Sequence, residues 1–251
     1  MKNNSEKLKG SEGFNRYYEN LYGERWNILK DYFQKDNDSV EWKTEGSEKS
    51  YFLDSASVYA SLCIPLKNAK KILDLCAAPG GKTLVLSSRM DDDAVLFSNE
   101  RSFDRMNRLS KVVKTCSPEN ISSRIKVSCS DGATWCKKQN ECYERILLDA
   151  PCSSERHVLT SEKYLIDWSL SRIKTVTMEQ WALLSCAYRL LSVGGIMLYS
   201  TCAICPKENE EMIDNLTKKY NKDGNSFSIL EEKPDFESVK NFVKIENLKI
   251  E

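Results

Sequence analysis

The stretch KKILDLCAAPGGKTLVLSSRM, residues 70–90, decides the fold of this chain. Its first part, KKILDLC, is a short apolar run typical of a strand that is buried on both faces. A loop of small residues follows, and KTLVLSSRM then has the composition of a helix. A buried strand that leads through a tight loop into a helix is the first half of a βαβ unit. We therefore expect parallel strands covered by helices.

The same alternation continues towards the C-terminus. Four further runs are strand-like: AVLFSNE (94–100), RIKVSCS (124–130), YERILLDA (143–150) and GIMLYSTC (195–202). The segment KTVTMEQWALLSCAYRLLS (174–192) predicts a long helix that ends at Gly194-Gly195, where glycine suits a helix stop. This order predicts an α/β fold with a Rossmann-like, doubly wound, mostly parallel sheet made of right-handed βαβ units.

The N-terminal segment has a different pattern. Aromatic and aliphatic residues recur every three or four positions from Phe14 to Phe33 and predict one helix. Such a face packs against the main domain or stacks on nucleic-acid bases, and we favour packing. The polar segment Gln34–Ser50 predicts a mobile linker. We therefore divide the chain into a short helical extension with its linker (1–50) and a main domain (51–251).

Composition excludes some classes of protein. A length of 251 residues suffices for one sizeable core, and 41% hydrophobic with 29% charged residues is typical of a globular protein. No apolar run approaches the roughly 18 residues that cross a bilayer, so we expect no membrane partner. Ten cysteines without a signal-peptide core indicate a reducing compartment, the cytoplasm or alternatively the mitochondrial matrix. A formal net charge of zero gives no global evidence for a nucleic-acid partner.

Polar and small residues gather where the predicted strands end, which is where such sheets bind ligands. The loop after the first strand consists of Cys76, Ala77, Ala78, Pro79, Gly80, Gly81 and Lys82. Its small side chains allow backbone N–H groups to approach a ligand closely. Glu100 ends the second strand, where a carboxylate can bind ribose hydroxyls, and Asp131 follows the third, near an adenine amino group. Each acid alone is explained equally well as a helix cap, but together the features predict an adenosine-containing cofactor.

Two cysteines also follow strands. Cys152 lies in LLDAPCSSERH (147–157), shortly after Asp149, and Cys202 lies in LYSTCAIC (198–205). As alternatives, Cys152 is merely a small loop residue, and Cys202 forms half of a zinc site or a redox pair with Cys205. No second pair has the matching spacing, so we expect no metal. His157 is the only histidine and has no partner set for serine-hydrolase chemistry.

The motifs DLCAAPGGKT, LLDAPCSSERH and YSTCAICPKENE, in this order, resemble those of the Sun/Fmu (NOL/NOP/Sun) family of RNA cytosine-5 methyltransferases. The likeness covers residues 51–216 and is greatest to the branch that includes mitochondrial rRNA and tRNA enzymes. It implies a class I methyltransferase fold, so that residues 51–251 would form an S-adenosylmethionine-dependent methyltransferase domain. Family members usually carry a longer tail with a further hairpin, so we expect the outer strands to be short or incomplete.

The resemblance also implies roles for cofactor-binding residues. The loop from Cys76 to Lys82 would contact the methionine side of S-adenosylmethionine. Glu100 would bind the ribose, and Asp131 would lie at the adenine. Asp149 would border both the cofactor and the target base.

For catalysis, the resemblance implies that Cys202 is the nucleophile and that Cys152 assists product release. A thiolate that adds to carbon 6 of cytosine makes carbon 5 nucleophilic, so one thiol forms the covalent bond and the other helps to break it. Because of its place at the same edge of the sheet, and not from the resemblance, Lys82 is a candidate to favour the thiolate through its positive charge. Asp149 would either donate to ring nitrogen 3 or accept from the amino group.

Several alternatives stay open at this stage. The substrate is expected to be RNA, with rRNA favoured over tRNA, and a ribosomal particle or a helper protein is a possible further partner. A DNA cytosine-5 methyltransferase would use Cys152 as its nucleophile, but the cysteine of the STC motif argues against it. A catalytically weak, RNA-binding ribosome-assembly factor would keep the fold, although the intact Cys152, Cys202 and Asp149 argue against that reading.

Overall fold

The computed structural model describes residues 8–36, 38–44, 46–224, 226–230, 233 and 235. The chain divides into two compact units. The first unit takes in the described residues up to Asp36, Pro151–Trp181 and Thr201–Lys222. The second takes in the described residues from Asp38 to Ala150, Ala182–Ser200 and those from Asp223 onward. The sequence-based division into residues 1–50 and 51–251 stays a prediction.

Helices and strands follow one another along the described part of the chain. The strands are β1 (Ser39–Trp42), β2 (Tyr51–Asp54), β3 (Lys71–Asp74), β4 (Val95–Glu100), β5 (Ile125–Cys129), β6 (Tyr143–Asp149) and β7 (Leu191–Ser200). The helices are α1 (Gly10–Tyr22), α2 (Arg25–Phe33), α3 (Ser55–Leu62), α4 (Gly81–Arg89), α5 (Phe103–Cys116), α6 (Glu119–Ser122), α7 (Glu155–Leu159), α8 (Glu162–Ile166), α9 (Leu170–Leu190) and α10 (Glu210–Tyr220). Two short 3-10 helices, Gly132–Lys137 and Pro206–Glu208, complete the set described.

The second unit contains a five-stranded sheet in the order β5-β4-β3-β6-β7, and every neighbouring pair is parallel. The chain runs outward from β3 to β5 and then returns to form β6 on the other side of β3. This confirms the predicted doubly wound α/β fold. The strand order reverses between β3 and β6, and sheets of this type bind ligands at such a switch point.

The core of this sheet is aliphatic. Ile72, Leu96 and Leu147 from three strands pack with Leu86 of α4 and Leu109 of α5, and all five are fully buried. Burial of each such side chain stabilises the fold by about 1.5–3 kcal/mol. The apolar residues that predicted the strands are therefore also the residues through which the strands pack against the helices.

The predicted mobile linker is wrong for residues 39–42, which form β1. β1 pairs antiparallel with β2, and Val40 and Trp42 are buried against Leu53 and Val58. The burial alternates along SVEW, as expected for a strand with one face on a core. Because the alternation covers only four residues and charged residues surround it, the sequence pattern did not indicate a strand here.

The first unit has an aromatic core. Phe14 and Tyr18 of α1 and Trp26 of α2 are fully buried with Val158 and Trp168. These rings pack against one another, which agrees with the packing interpretation of the aromatic face. The single helix predicted over residues 14–33 is wrong, because the chain turns at Gly23, where φ is +57°. Glycine adopts this left-handed conformation without the penalty that a Cβ atom imposes.

The expected helix stop at Gly194-Gly195 is also wrong. Helix α9 ends at Leu190, and both glycines belong to β7. The register between β6 and β7 shifts between Tyr143 and Arg145, which indicates a bulge.

Among the described residues, no helix combines the length and the apolar character that crossing a bilayer requires. The expectation about the outer C-terminal strands falls largely on residues 236–251, which lie outside the described part of the chain.

Candidate functional site

The loop between β3 and α4 depends on glycine. Gly80 has φ +118°, and a Cβ atom placed there would lie 3.1 Å from the side chains of Leu109 and Val112. Only glycine fits this conformation without displacing its neighbours. Helix α4 begins at the next residue, so the N–H groups of its first turn point into the loop. A helix start of this kind suits the polar groups of a ligand.

A cavity of about 330 Å³ lies beside this loop in the second unit. The sequence-predicted residues that line it are Cys76, Ala77, Ala78, Pro79, Gly81, Lys82 and Asp149. A further part of the wall, which sequence reasoning missed, comes from the region of β1, β2 and α3 and includes Asp38, Tyr51, Asp54 and Ser57. Within the described ranges, Gly80, Glu100 and Asp131 are not part of the lining. The structure thus brings together most, but not all, of the predicted cofactor residues.

Lys82 and Asp149 form an ion pair at the wall of this cavity, with Nζ and Oδ2 2.8 Å apart. Burial lowers the pKa of Lys82, but the Asp149 carboxylate outweighs this effect and raises it. Ser200 Oγ donates to Asp149 Oδ1 at 3.0 Å. Because two donors face it, the Asp149 side chain is arranged as a hydrogen-bond acceptor.

Two further residues extend this chain of contacts. Lys82 Nζ donates to Ser57 Oγ at 2.8 Å, and Ser57 Oγ donates to Asp54 Oδ2 at 2.8 Å. Asp54 also caps α3 by accepting from the Ser57 N–H. The spacing in DSAS carries the signal of an N-cap, so this part of the site was accessible to sequence reasoning.

Asp74, at the end of β3, is buried and lines the same cavity. Thr83 Oγ1 donates to its Oδ2 at 2.7 Å, whereas Oδ1 meets no donor among the described residues. Burial raises the pKa of Asp74 to about 7. Burial likewise raises the pKa of the neighbouring Cys76 thiol. A ligand with a donor group would satisfy the orphaned oxygen, so the cavity fits a polar cofactor.

The two predicted acids at the other strand ends make local contacts. Glu100 is buried and accepts from Ser102 N at 2.9 Å, and Arg105 Nη2 lies 3.5 Å from its other oxygen. Asp131 is exposed and caps the following 3-10 helix by accepting from Ala133 N at 3.1 Å. These are the contacts that the helix-cap alternative expects. Their roles at a ribose and an adenine stay predictions.

Asn99 joins the strand ends on this side of the sheet. Its amide nitrogen donates to the carbonyl oxygens of Leu75 and Ser130 at 3.2 and 3.0 Å. Its oxygen accepts from Ser128 Oγ and Ser130 Oγ at 3.1 and 2.9 Å. One buried amide therefore fixes the ends of β3, β4 and β5 relative to one another.

The two predicted catalytic cysteines meet in the first unit. Cys152 Sγ and Cys202 Sγ lie 2.9 Å apart, and neither is in a disulfide. Cys202 is exposed, whereas Cys152 is half-buried. The hydrogen bond with Cys202 and burial both raise the pKa of Cys152, so that Cys152 is a neutral thiol at pH 7. The more exposed of the two residues, Cys202, is thus the one assigned as nucleophile.

A buried carboxylate, Glu208, holds the loop around Cys152. It accepts from Ser153 N at 2.9 Å and from Ser153 Oγ. Gln180 Nε2 donates to Glu208 Oε2 at 3.0 Å and to Pro151 O at 2.8 Å. Both residues that flank Cys152 are therefore tied to Glu208, directly or through Gln180.

A second buried carboxylate, Glu155, holds the loop around Cys202. Its Oε2 accepts from Ile204 N at 3.1 Å, its Oε1 accepts from Tyr18 OH, and Ser153 Oγ lies 3.2 Å from the same Oε1. Burial raises the pKa of Glu155. The sequence analysis did not identify Glu155 or Glu208, because a glutamate within a polar loop is normally expected to be exposed to solvent.

Cys205, the possible partner of Cys202 in a zinc site or redox pair, is fully buried, and its Sγ lies 3.4 Å from Tyr17 OH. Across the described ranges, no cluster of three or more histidine, cysteine or acidic side chains is arranged to hold a metal ion.

Comparison with known proteins gives a family. A family model described as 16S rRNA methyltransferase RsmB/F matches residues 61–243. The tRNA (cytosine(49)-C(5))-methyltransferase of Pyrococcus abyssi is 32% identical over 166 residues, which make up 66% of this chain and 52% of that protein. The 5-cytosine rRNA methyltransferase NSUN4 of Mus musculus is 34% identical over 180 residues, 68% of this chain and 47% of that protein. The chain thus spans about half the length of these curated relatives.

A solved structure shares the fold. The crystal structure of a methyltransferase homologue protein from Pyrococcus horikoshii superimposes with a TM-score of 0.69 at 21% sequence identity. The match covers 85% of this chain and 80% of that chain. It confirms the expected class I methyltransferase fold.

Proposed function

The chain belongs to the 16S rRNA methyltransferase RsmB/F family, and we propose that it is an S-adenosylmethionine-dependent RNA (cytosine-5)-methyltransferase that acts on ribosomal RNA. The observation that carries this proposal is the pair of reduced thiols, 2.9 Å apart, in the loops that follow β6 and β7. Covalent pyrimidine chemistry needs one thiol that bonds to the base and a group that helps to release it. A purely structural role would not require an exposed, reduced partner such as Cys202.

Cys202 is the proposed nucleophile. Its thiolate forms a bond to carbon 6 of cytosine, and the displaced ring electrons make carbon 5 nucleophilic. After carbon 5 has been methylated, a water molecule takes up the carbon 5 proton and the carbon 6–sulfur bond breaks, with Cys202 departing as a thiolate. Cys152, which its surroundings keep protonated, assists this elimination by orienting that water molecule.

Asp149 is proposed to bind the target base. Lys82 and Ser200 both donate to its carboxyl oxygens, an arrangement that makes the side chain a hydrogen-bond acceptor. In this form Asp149 accepts from the exocyclic amino group of cytosine, which uracil lacks. Lys82 orients Asp149 through the ion pair, and its effect on the Cys202 thiolate stays a prediction.

The residues of the β3–α4 loop are proposed to hold the cofactor. The small side chains from Cys76 to Gly81, the start of α4 and the orphaned oxygen of Asp74 support this assignment. When bound, S-adenosylmethionine supplies the methyl group. Glu100 and Asp131 are proposed to bind its ribose and adenine.

Ribosomal RNA is the favoured substrate because the matching family model and the mouse relative are both described as rRNA methyltransferases. The archaeal relative supports tRNA as the alternative. Since the net charge is zero, we expect binding to bare RNA to be modest and sensitive to salt. Recognition is then expected to involve a ribosomal particle or a helper protein.

The direct test is methyl transfer in vitro. Purified protein is incubated with radiolabelled S-adenosylmethionine and with small-subunit rRNA, ribosomal particles or tRNA, and bisulfite sequencing locates any 5-methylcytosine. We expect label at a defined rRNA cytosine and none with Cys202→Ala. Label in tRNA alone would favour the alternative substrate. Absence of label in all three substrates, together with retained cofactor binding, would favour the assembly-factor reading.

A further inference from the structure

The loops that carry Cys152 and Cys202 exchange backbone hydrogen bonds through two buried carboxylates. Glu208, which follows Cys202 along the chain, accepts from Ser153 N beside Cys152. Glu155, which follows Cys152, accepts from Ile204 N close to Cys202. Each loop thus provides the carboxylate that binds the backbone of the other. We call Glu155 and Glu208 the carboxylate pair.

We propose that Glu208 is a positioning residue that, with Glu155, sets the separation of the Cys152 and Cys202 sulfurs. This inference rests on the proposed function, because the separation matters only if the two thiols act in turn on one base. It concerns residues outside the set that touches the base or the cofactor.

The burial of these acids indicates a specific role. Glu208 is 0% exposed and Glu155 is 1% exposed. A buried carboxylate is costly unless donors surround it, and an acid that merely solvated a loop would lie at the surface. Here the donors include main-chain N–H groups beside the cysteines, and hydrogen bonds from such groups to a carboxyl oxygen are directional. The backbone next to each thiol is therefore fixed by the opposite loop.

The 3-10 helix Pro206–Glu208 strengthens this arrangement on one side. Its last residue, Glu208, donates its own N–H to Cys205 O at 2.9 Å. In the other loop, Gln180 Nε2 donates both to Glu208 and to the carbonyl oxygen of Pro151, which precedes Cys152. Loss of the Glu208 carboxylate would release both neighbours of Cys152 together. A displacement of about 1 Å in a reacting group can lower a rate by about 10²-fold.

Thiol cross-linking measures this separation without RNA or cofactor. Wild-type protein is treated with diamide, and peptide mass spectrometry follows the Cys152–Cys202 disulfide over time. Two S–H bonds break and one S–S bond forms, while the diamide N=N bond takes up both hydrogens and becomes a hydrazine. We expect Glu208→Ala to slow this reaction at least about tenfold, and Glu208→Gln, which keeps one acceptor, to stay within about threefold of wild type.

The matched control is Glu210→Ala, which removes an exposed acid two residues away and should cross-link at the wild-type rate. A wild-type rate in folded Glu208→Ala would overturn the proposal. If Glu208→Ala does not fold, Gln180→Met decides, because it preserves size but removes the link to Pro151. A Gln180→Met rate at least about threefold below wild type supports the proposal, and an unchanged rate contradicts it.

A kinetic measurement connects the result to the proposed function. In the methyl-transfer assay, Glu208→Ala should lower kcat at least about tenfold with no change in KM for S-adenosylmethionine. A matching fall in affinity for the cofactor would indicate a general structural role instead. If wild-type protein methylates no RNA, the proposed function fails, whereas the cross-linking rates still decide whether Glu208 positions the thiols.

Discussion

The loops that carry Cys152 and Cys202, here called the thiol loops, and the proposed cofactor-binding edge of the sheet, where β3, β4 and β5 end, are held in place by different contacts. At the edge, parallel strand pairing sets the position of each strand end, and the neutral side chain of Asn99 joins three of these ends. In the thiol loops, which lie beyond the strands, two buried acids and Gln180 bind the backbone beside each cysteine. Groups at strand ends thus inherit their geometry from the sheet, whereas groups in loops need dedicated side chains.

The strongest way to test this comparison is to remove the nucleophile. Cys202→Ala should lower methyl transfer on the order of 10³-fold or more and form no covalent RNA adduct. Because the cofactor-binding edge belongs to the other unit, calorimetry should give an unchanged affinity for S-adenosylmethionine. Normal methylation by this variant would remove Cys202 from the mechanism.

Removal of the second thiol should give a different defect. Cys152→Ala should still attack and methylate the base, but release should stall, so turnover falls by about 10²-fold or more. A denaturing gel should show an RNA-linked band that requires both cofactor and Cys202. A DNA-enzyme mechanism predicts the reverse, with the adduct trapped by Cys202→Ala and absent from Cys152→Ala. That outcome would falsify our assignment of the two roles.

An acid at a strand end that touches the base should have a smaller effect than the nucleophile. Asp149→Asn removes the charge but preserves the shape, and we expect methyl transfer to fall about 10²-fold. It also leaves Lys82 without its ion-pair partner. Ser57→Ala removes a neighbouring contact of Lys82 but leaves Asp149 intact, so it is the matched comparison. It should lower the rate of methyl transfer less than Asp149→Asn does. Equal losses in both variants would mean that Asp149 acts only by holding Lys82.

The same comparison explains what could be predicted from the sequence. Short apolar runs that alternate with helical segments predicted β3 to β7. Because strand ends share one edge, Asp149 and the Cys76–Lys82 loop could be placed at one site. Glu155 and Glu208 could not be predicted, because their partners are backbone N–H groups that are distant along the chain. The β1–β2 hairpin was also missed, since its alternation covers only four residues.

The buried Asp74 of β3 should make the stability of the protein depend on pH. The pKa of Asp74 rises from 3.8 to about 7 on folding because of burial, so the folded state binds its proton more tightly than the unfolded state. The stability that this group contributes is fully present below about pH 4 and is lost as the pH rises through about 7. Asp74→Asn should remove this dependence and be more stable than wild type at pH 8, on the order of 2 kcal/mol. Thermal melts at pH 5 and pH 8 check this, and an equal fall for both proteins would count against it.

The smallest expected effect concerns Glu100, where the two explanations of a strand-end acid compete most closely. Its oxygens already contact Ser102 N and Arg105, so a ribose would share the carboxylate with existing partners. We therefore expect the binding free energy lost in Glu100→Ala to be at the low end of the range for a charge-assisted hydrogen bond. Cofactor binding should weaken roughly tenfold. Glu119→Ala, which removes an exposed acid from the same unit, should bind normally. Calorimetry with S-adenosylmethionine and its demethylated product measures both. Unchanged affinity in Glu100→Ala, combined with a lower melting temperature, would show that this acid only supports the start of α5 and does not bind the cofactor.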